Sequence, residues 1–308
     1  MSAVPDYMRL LPPETLARLG RANLIARGMV EGAIAGRHKS PYKGISVEFA
    51  EHRPYTRGDD LRNLDWRIYG KIDRYYVKQY IEETNLRATL VVDASGSMRY
   101  AGEAAAEIDG RPASKFTYVQ RLAAALTYIL VGQQDAVGLA TFDSQIRTFL
   151  PARSRSSQLR VILEELHRAQ PGNETSLAAV LHEVAERIPR RGLVIVLSDL
   201  FDATEPMLQA LHHFCYRKHE VLLLHVMADE EITFPFDQWA EFCSLETPGE
   251  QAQLDPQSIR ATYLARVREF IHQIEVACGQ MRIDYVPMCT KTPHADALAE
   301  YLAHRRGR

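Results

Sequence analysis

Three oxygen-bearing side chains alternate at one point of the chain: Asp93, Ser95 and Ser97. They follow the apolar run 90–92, which predicts a buried strand ending at the acid. A carboxylate and two hydroxyls at one strand-to-helix turn are the hard oxygen ligands that a divalent cation such as Mg²⁺ prefers. The run therefore predicts part of a cation site.

Two more positions extend this pattern. The apolar run 193–197 predicts a central parallel strand, and Asp199 follows it directly after Ser198. Thr175 lies in a loop that opens a predicted helix. In doubly wound sheets, ligands bind beyond the carboxyl ends of the strands where the strand order reverses, so these side chains should meet there. The predicted metal-site residues are Asp93, Ser95, Ser97, Thr175 and Asp199.

Each fragment of the pattern also has a purely structural interpretation. Asp and Ser are common helix N-caps, and Thr175 precedes an apolar-periodic segment that it would cap equally well. Asp199 alone is compatible with an ordinary loop acid. The three fragments together, each at the end of the appropriate element, favour the metal site.

Short apolar strands alternate with helices from residue 88 onwards, which predicts an α/β fold with a doubly wound, mostly parallel, Rossmann-like sheet. The predicted strands are 88–93, 136–142, 146–150, 193–198, 220–226 and 282–287. The predicted helices are 115–132, 157–169, 176–188, 205–217, 257–279 and 294–305. The second and third strands are close enough to form a hairpin, so one edge of the sheet is expected to be antiparallel.

We expect two domains, an N-terminal extension at 1–87 and the α/β domain at 88–308. The extension is predicted to contain a helix that starts at Pro12-Pro13-Glu14 and continues to about Arg27, and strands at 45–49 and 75–82. A turn at 84–85 predicts a hairpin into the strand at 87–93, so that the extension would pair with the core sheet. Interleaved charges surround Trp66, and we interpret them as a salt-bridge network over a buried Trp66 and Tyr69 rather than as a partner surface.

Composition limits the class of function. The 308 residues are 46% hydrophobic and 25% charged, as in ordinary globular proteins, and the net charge of −2 argues against a dedicated nucleic-acid binder. The sequence contains no apolar run of membrane-spanning length, no signal-peptide pattern at its N-terminus and no Cys-x-x-Cys pair. We therefore expect a cytoplasmic protein without a membrane span.

The five-residue pattern resembles the metal-ion-dependent adhesion site of von Willebrand factor A domains, a similarity that covers roughly residues 88–305. The segment before residue 88 makes the resemblance more specific. The residues that carry it are Glu48-Phe49, Arg53-Pro54-Tyr55, Gly58-Asp59, Asp65-Trp66 and Val77-Lys78. This segment is similar to the segment before the A domain in the bacterial family called domain of unknown function 58. That family implies a MoxR-type AAA ATPase as partner.

The resemblance also implies roles for the five residues. Ser95, Ser97 and Thr175 would bind the metal directly, whereas Asp93 and Asp199 would hold metal-bound waters. The metal would be Mg²⁺, with Mn²⁺ or Ca²⁺ as alternatives. Many A domains place Gly after the late-strand acid, but here an apolar pair, Leu200-Phe201, follows and is expected on the rim of the site.

Three functions compete on this pattern. The first is a Mg²⁺-dependent, non-enzymatic module that binds an acidic side chain of a partner, such as the ATPase or its client. The second is a metal-dependent phosphohydrolase that uses Asp93, and the third is an A-like domain with an empty site. We favour the first, because the sequence shows no phosphate-binding glycine motif and no obvious His or Lys beside the site for proton transfer.

Overall fold

The computed structural model describes residues 5–19, 24, 48–56, 64–81, 86–172, 176–189, 191–202, 204–247 and 249–306. The chain forms two compact units. The larger unit combines residues 1–25 with 87–308, and the smaller unit is formed by residues 26–86. The predicted helix in the first segment of the chain thus groups with the larger unit.

A six-stranded sheet forms the centre of the larger unit. Its strands, in spatial order, are β12 (Asp284–Cys289), β9 (Glu220–Met227), β8 (Leu193–Ser198), β3 (Arg87–Asp93), β6 (Ala136–Phe142) and β7 (Ile146–Arg153). All neighbours pair in parallel except β6 and β7, which form the predicted antiparallel edge. The six predicted strands are confirmed; β6 and β8 match at both ends, and the ends of the other four differ by at most three residues.

Helices cover both faces of this sheet. The predicted helices are confirmed as α3 (Lys115–Gly132), α4 (Ser157–Arg168), α5 (Leu177–Arg187), α6 (Thr204–Tyr216), α8 (Pro256–Met281) and α9 (His294–Arg306). Apolar residues of α5, α6 and α8 pack with Val91, Val194 and Val196 in one buried cluster. Side chains alternate along a strand, so the neighbouring residues of β3 and β8 face the opposite layer, where α3, α4 and α9 lie together with a short helix α1 (Pro13–Leu19). The predicted doubly wound α/β fold is confirmed.

The strand order reverses beside β3. The chain leaves β3 through α3 to reach β6 on one side, and it later returns to β8 on the other side. Every residue of β3 after Arg87 and every residue of β8 is buried, because helices cover both faces of the sheet there. The carboxyl ends of these two central strands therefore lie next to each other at the switch point, where ligands bind in such folds.

The smaller unit contains a two-stranded antiparallel sheet of β1 (Glu48–Pro54) and β2 (Tyr76–Ile81), with α2 (Trp66–Ile72) between them in sequence. The predicted hairpin between β2 and β3 is wrong. Both edges of β3 are occupied by its parallel neighbours, which leaves no edge for β2. The interpretation of Trp66 as a buried residue is also wrong, because its side chain is 64% exposed.

Several short elements escape sequence prediction. They are β4 (Glu107–Ile108), β5 (Arg111–Pro112), α7 (Asp229–Thr233), β10 (Ala240–Cys243) and β11 (Gln251–Leu254). The strands β4 and β5 pair with each other, as do β10 and β11. Among the described residues, no helix is long and apolar enough to cross a membrane.

Candidate metal centre

Asp93 forms the buried base of the candidate site. It is the last residue of β3, with 1% of its surface exposed. Its Oδ1 accepts a hydrogen bond from the Ser95 amide at 2.8 Å, and its Oδ2 accepts one from the Ser198 hydroxyl at 2.5 Å. The carboxylate thus ties the turn after β3 to the end of β8, and both of its oxygens are held in fixed directions.

Two serine hydroxyls lie next to this carboxylate. The Oγ atoms of Ser95 and Ser97 are 3.0 Å apart; Ser95 caps the 3₁₀ turn Gly96–Arg99, and Ser97 lies within it. In an octahedral Mg²⁺ site with metal–oxygen distances of about 2.1 Å, neighbouring oxygens lie about 3.0 Å apart. The two hydroxyls therefore have the spacing of adjacent ligands on one Mg²⁺ ion.

Thr175 lies outside the described residues, but the loop around it is attached to the site on both sides. The Gly172 amide donates to the carbonyl oxygen of Ala94, inside the turn after β3. The Ala178 amide donates to the carboxylate of Asp202 at 3.3 Å, three residues beyond Asp199. The described residues on either side of this segment thus contact the turn after β3 and the loop after β8.

Asp199 is buried and paired with a lysine that sequence reasoning did not identify. Its Oδ2 lies 2.7 Å from Nζ of Lys115, the first residue of α3. The same ammonium lies 2.6 Å from Oε1 of Glu231 in α7, and only 1% of the Lys115 side chain is exposed. Burial alone would lower the pKa of Lys115, but attraction by Asp199 and Glu231 outweighs it and raises the pKa. Lys115 is therefore a permanent cation beside the site.

A histidine also lies against Asp199. His225 in β9 places Nε2 3.0 Å from the Asp199 carbonyl oxygen and Nδ1 2.8 Å from the Tyr285 hydroxyl. A carbonyl oxygen only accepts, so Nε2 carries the proton and Nδ1 accepts from the tyrosine. Burial lowers the pKa of His225 to about 4, which keeps the ring neutral. The expectation that no Lys or His lies beside the site is therefore wrong, although both groups are engaged in fixed contacts.

The apolar pair after Asp199 divides between the interior and the rim. Leu200 is fully buried and has a left-handed backbone conformation, with φ of 60°. Phe201 is 39% exposed, and its ring centroid lies 4.7 Å from Nζ of Lys115. The prediction of an apolar pair on the rim is correct for Phe201 and wrong for Leu200.

Buried charge around Asp93 is unbalanced when its acids are ionised. Three carboxylates, those of Asp93, Asp199 and Glu231, face the single positive charge of Lys115. Burial raises the pKa of Asp93 to about 7, and repulsion by Asp199 adds to the shift, whereas hydrogen bonds from Ser198 and Ser95 oppose it. The residues fit a divalent cation, because its positive charge would relieve the repulsion between the buried acids and the two serine hydroxyls are already at ligand spacing.

Among the described residues, histidine, cysteine and carboxylate side chains alone do not form a metal site. In the part of the chain that the structure describes, no group of three or more His, Cys, Asp or Glu side chains is placed to hold a metal ion. A cation at this position would therefore depend on serine and threonine hydroxyls, which are neutral ligands.

Sequence comparison identifies one family. The model of the family described as "Protein of unknown function DUF58" matches residues 51–273. Uncharacterized protein Mb1516 of Mycobacterium bovis is 27% identical over 226 residues, which cover 72% of this chain and 68% of that protein.

Two solved structures with low sequence identity align with most of the chain. Conserved hypothetical protein BatB from Bacteroides thetaiotaomicron aligns with 73% of this chain and 100% of its own, at 16% identity and a TM-score of 0.46. The SpRpn10 VWA domain aligns with 69% of this chain and 94% of its own, at 10% identity and a TM-score of 0.39.

Proposed function

Because this chain belongs to the DUF58 family of proteins of unknown function, we propose its role from the site itself: a Mg²⁺-dependent module that binds an acidic side chain of a partner protein. The observation that carries the proposal is the pair of serine hydroxyls, 3.0 Å apart, fixed in front of the buried Asp93 carboxylate. Hydroxyl oxygens are hard, neutral ligands, and two of them at this spacing favour Mg²⁺, or else Mn²⁺ or Ca²⁺, over softer metals.

The chemistry of the ligand set explains the preference for an acidic partner. In the proposed site, Ser95, Ser97 and Thr175 bind the metal directly, while Asp93 and Asp199 act through waters. Lys115 already neutralises part of the charge on Asp199, at 2.7 Å. A cation held mainly by neutral oxygens keeps most of its charge, and a carboxylate from a partner would satisfy it at the open position.

The phosphohydrolase alternative receives less support from the neighbouring groups. Lys115 is held between two carboxylates, so it is not available as a base. His225 uses both ring nitrogens in contacts with Asp199 and Tyr285. Proton transfer at the site would need a group within hydrogen-bond reach of substrate, and these two are already committed. We therefore propose a binding role and not an enzymatic one.

We further propose a MoxR-type AAA ATPase, or a client of it, as the partner, and the cytoplasm as the location. Support for the partner comes from the resemblance of the segment 48–78 to the family. In this role the protein would contribute to the assembly or maturation of a complex.

The decisive experiment measures metal binding before partner binding. Titration calorimetry with Mg²⁺ and Mn²⁺ should give saturable binding to the natural protein that is lost in Ser97→Ala. The matched control is Ser157→Ala, which changes an exposed serine at the start of α4. Absence of saturable binding, or equal binding by both variants, would reject the proposal.

Partner binding forms the second stage. The purified protein is mixed with a MoxR-type ATPase from the same organism, with Mg²⁺ or with EDTA, and the complex is followed by size-exclusion chromatography. We expect a complex that requires Mg²⁺ and is lost in Asp93→Ala. Release of phosphate from an aryl phosphate, abolished by the same substitution, would instead support the hydrolase.

A further inference from the structure

A hairpin of the chain itself reaches the candidate site. Strands β10 and β11 pair antiparallel between α7 and α8, and their connection runs over residues 244–250. The Ser244 amide donates to the Glu250 carbonyl at 2.9 Å, and the Thr247 amide donates to the Ser244 hydroxyl at 3.0 Å. These contacts close the loop, and Glu246 lies at its centre.

The carboxyl group of Glu246 faces the hydroxyl and the backbone amide of Ser97. Its Oε1 is shielded from solvent and has no hydrogen-bond partner among the described residues. The carboxylates of Asp199 and Asp202 lie close enough to repel its negative charge. A shielded carboxylate oxygen without a donor is unfavourable, and like charges add to the cost.

A cation at Ser97 would remove both costs at once. The unpartnered oxygen would gain a positively charged ligand partner, and the repulsion by Asp199 would be screened. We propose that Glu246 is an in-chain carboxylate ligand of this centre and occupies the position that a partner's acidic side chain would otherwise take. This inference rests on the proposed function and adds regulation to it, since a partner must displace the loop in order to bind.

Displacement of the loop is physically reasonable. Its described residues are mostly exposed, and Leu245 beside the glutamate is 41% exposed. The covalent connection gives Glu246 an effective concentration of about millimolar or higher, so a free carboxylate at low concentration would not compete. A partner that also contacts the loop surface would overcome this advantage.

Relaxation of water protons by Mn²⁺ tests the inference directly, because it reports how many exchanging waters the bound ion carries. The variants are Glu246→Ala and the isosteric Glu246→Gln, with Glu250→Ala as the matched control, an exposed glutamate of the same loop. We expect about one additional water on Mn²⁺ and an affinity about 10-fold weaker in Glu246→Ala, and a smaller loss of affinity in Glu246→Gln, whose neutral amide oxygen is a weaker ligand. Acetate should displace that water in Glu246→Ala and leave the natural protein unaffected.

The outcomes separate this inference from the proposed function. If the natural protein binds no Mn²⁺ at the Ser97 site, the proposed metal centre fails and the inference fails with it. If Mn²⁺ binds and is lost in Ser97→Ala, but both Glu246 variants match Glu250→Ala in hydration and acetate response, the metal centre stands and the role of Glu246 is overturned. Circular dichroism spectra of the variants verify that each is folded.

Discussion

Leu200 combines two opposing contributions to stability at a single residue. Its side chain is fully buried in the cluster formed by α5, α6 and the sheet, which favours folding. Its backbone has φ of 60°, a region that costs a residue with a Cβ about 1–2 kcal/mol. The buried leucine thus offsets a local strain directly beside Asp199.

This strain predicts an unusual order of stability. At Leu200, replacement by Gly should be less destabilising than replacement by Ala by about 1 kcal/mol, because only Gly adopts positive φ freely. At Leu211, which is equally buried but helical, Ala should be the better replacement by about 1 kcal/mol. Urea unfolding of the four variants measures both orders. If the Gly and Ala variants rank in the same order of stability at both positions, the backbone strain at Leu200 is contradicted.

Lys115 is the residue whose loss should cost most near the site. In Lys115→Met the carboxylates of Asp199 and Glu231 lose their common cation while they remain buried, which should lower the free energy of unfolding by about 3 kcal/mol. Lys291→Met breaks a pair with Asp229 in which the lysine is 60% exposed, and it should cost less than about 1 kcal/mol. Chemical denaturation of both variants tests the difference, and equal losses would refute it.

At this scale, the position of a candidate residue in the fold could be predicted where the residue directly follows a strand end. Asp93, Ser95, Ser97 and Asp199 share local patterns that place them at the ends of two apolar runs. Lys115, Glu231 and Glu246 carry no such signal, because their side chains reach the site across the fold from α3, α7 and a loop. Only the three-dimensional contacts bring their charges together.

At the scale of elements, the packing of α9 against α1 includes a half-buried histidine. Nε2 of His294 lies 3.2 Å from the hydroxyl of Thr15, and the ring packs edge-on against Tyr118 of α3. Burial lowers the pKa of His294 to about 4, and the positive charge of Arg121 adds to the shift. The neutral ring is therefore the form that the folded protein accommodates.

This packing makes the protein sensitive to acid. Below pH 6.5 the unfolded chain takes up a proton at His294 while the folded protein does not until about pH 4, so stability is lost as the pH falls through that window. His294→Gln should remove up to about 2 kcal/mol of the loss between pH 7 and pH 5. Urea unfolding at the two pH values measures it, with His272→Gln, an exposed histidine of α8, as the control. The pKa of His225 is lowered to the same value, so part of the loss of stability at pH 5 should persist in His294→Gln. If His294→Gln loses as much stability as the natural protein, the prediction is contradicted.

Helices and strands with strong hydrophobic periodicity could be predicted from the sequence. Which strands pair with each other could not be predicted in every case. The alternation of helices and strands fixes the central sheet because each amphipathic face must be buried. The turn at 84–85 is a local signal, and it predicted a hairpin that the burial of β3 on both edges prevents. Short elements such as α7 and β10 lie below the length at which periodicity is informative.

For the whole molecule, the smaller unit is an insertion within the sequence of the larger one. Replacing residues 26–86 with a Gly/Ser linker of about eight residues should leave a unit that unfolds cooperatively. The ends are near each other, because the Leu24 amide bonds to the Gln133 side chain at 3.0 Å and Ala136, three residues later, pairs with Arg87. Calorimetric unfolding tests this prediction, and loss of a cooperative transition would show that the larger unit depends on the insertion.

Helix α3 runs from the candidate metal centre to the opposite end of the larger unit. This 18-residue helix begins at Lys115, which contacts Asp199, and it ends beside Gln133, which contacts Leu24 about 27 Å away. Arg87 begins β3 at that same distant edge. Both covalent crossings to the inserted unit therefore leave from the edge opposite the candidate metal centre. Tension applied through these tethers would load the amino ends of the strands and the far end of α3, and the carboxylate-lined edge would remain free of covalent strain.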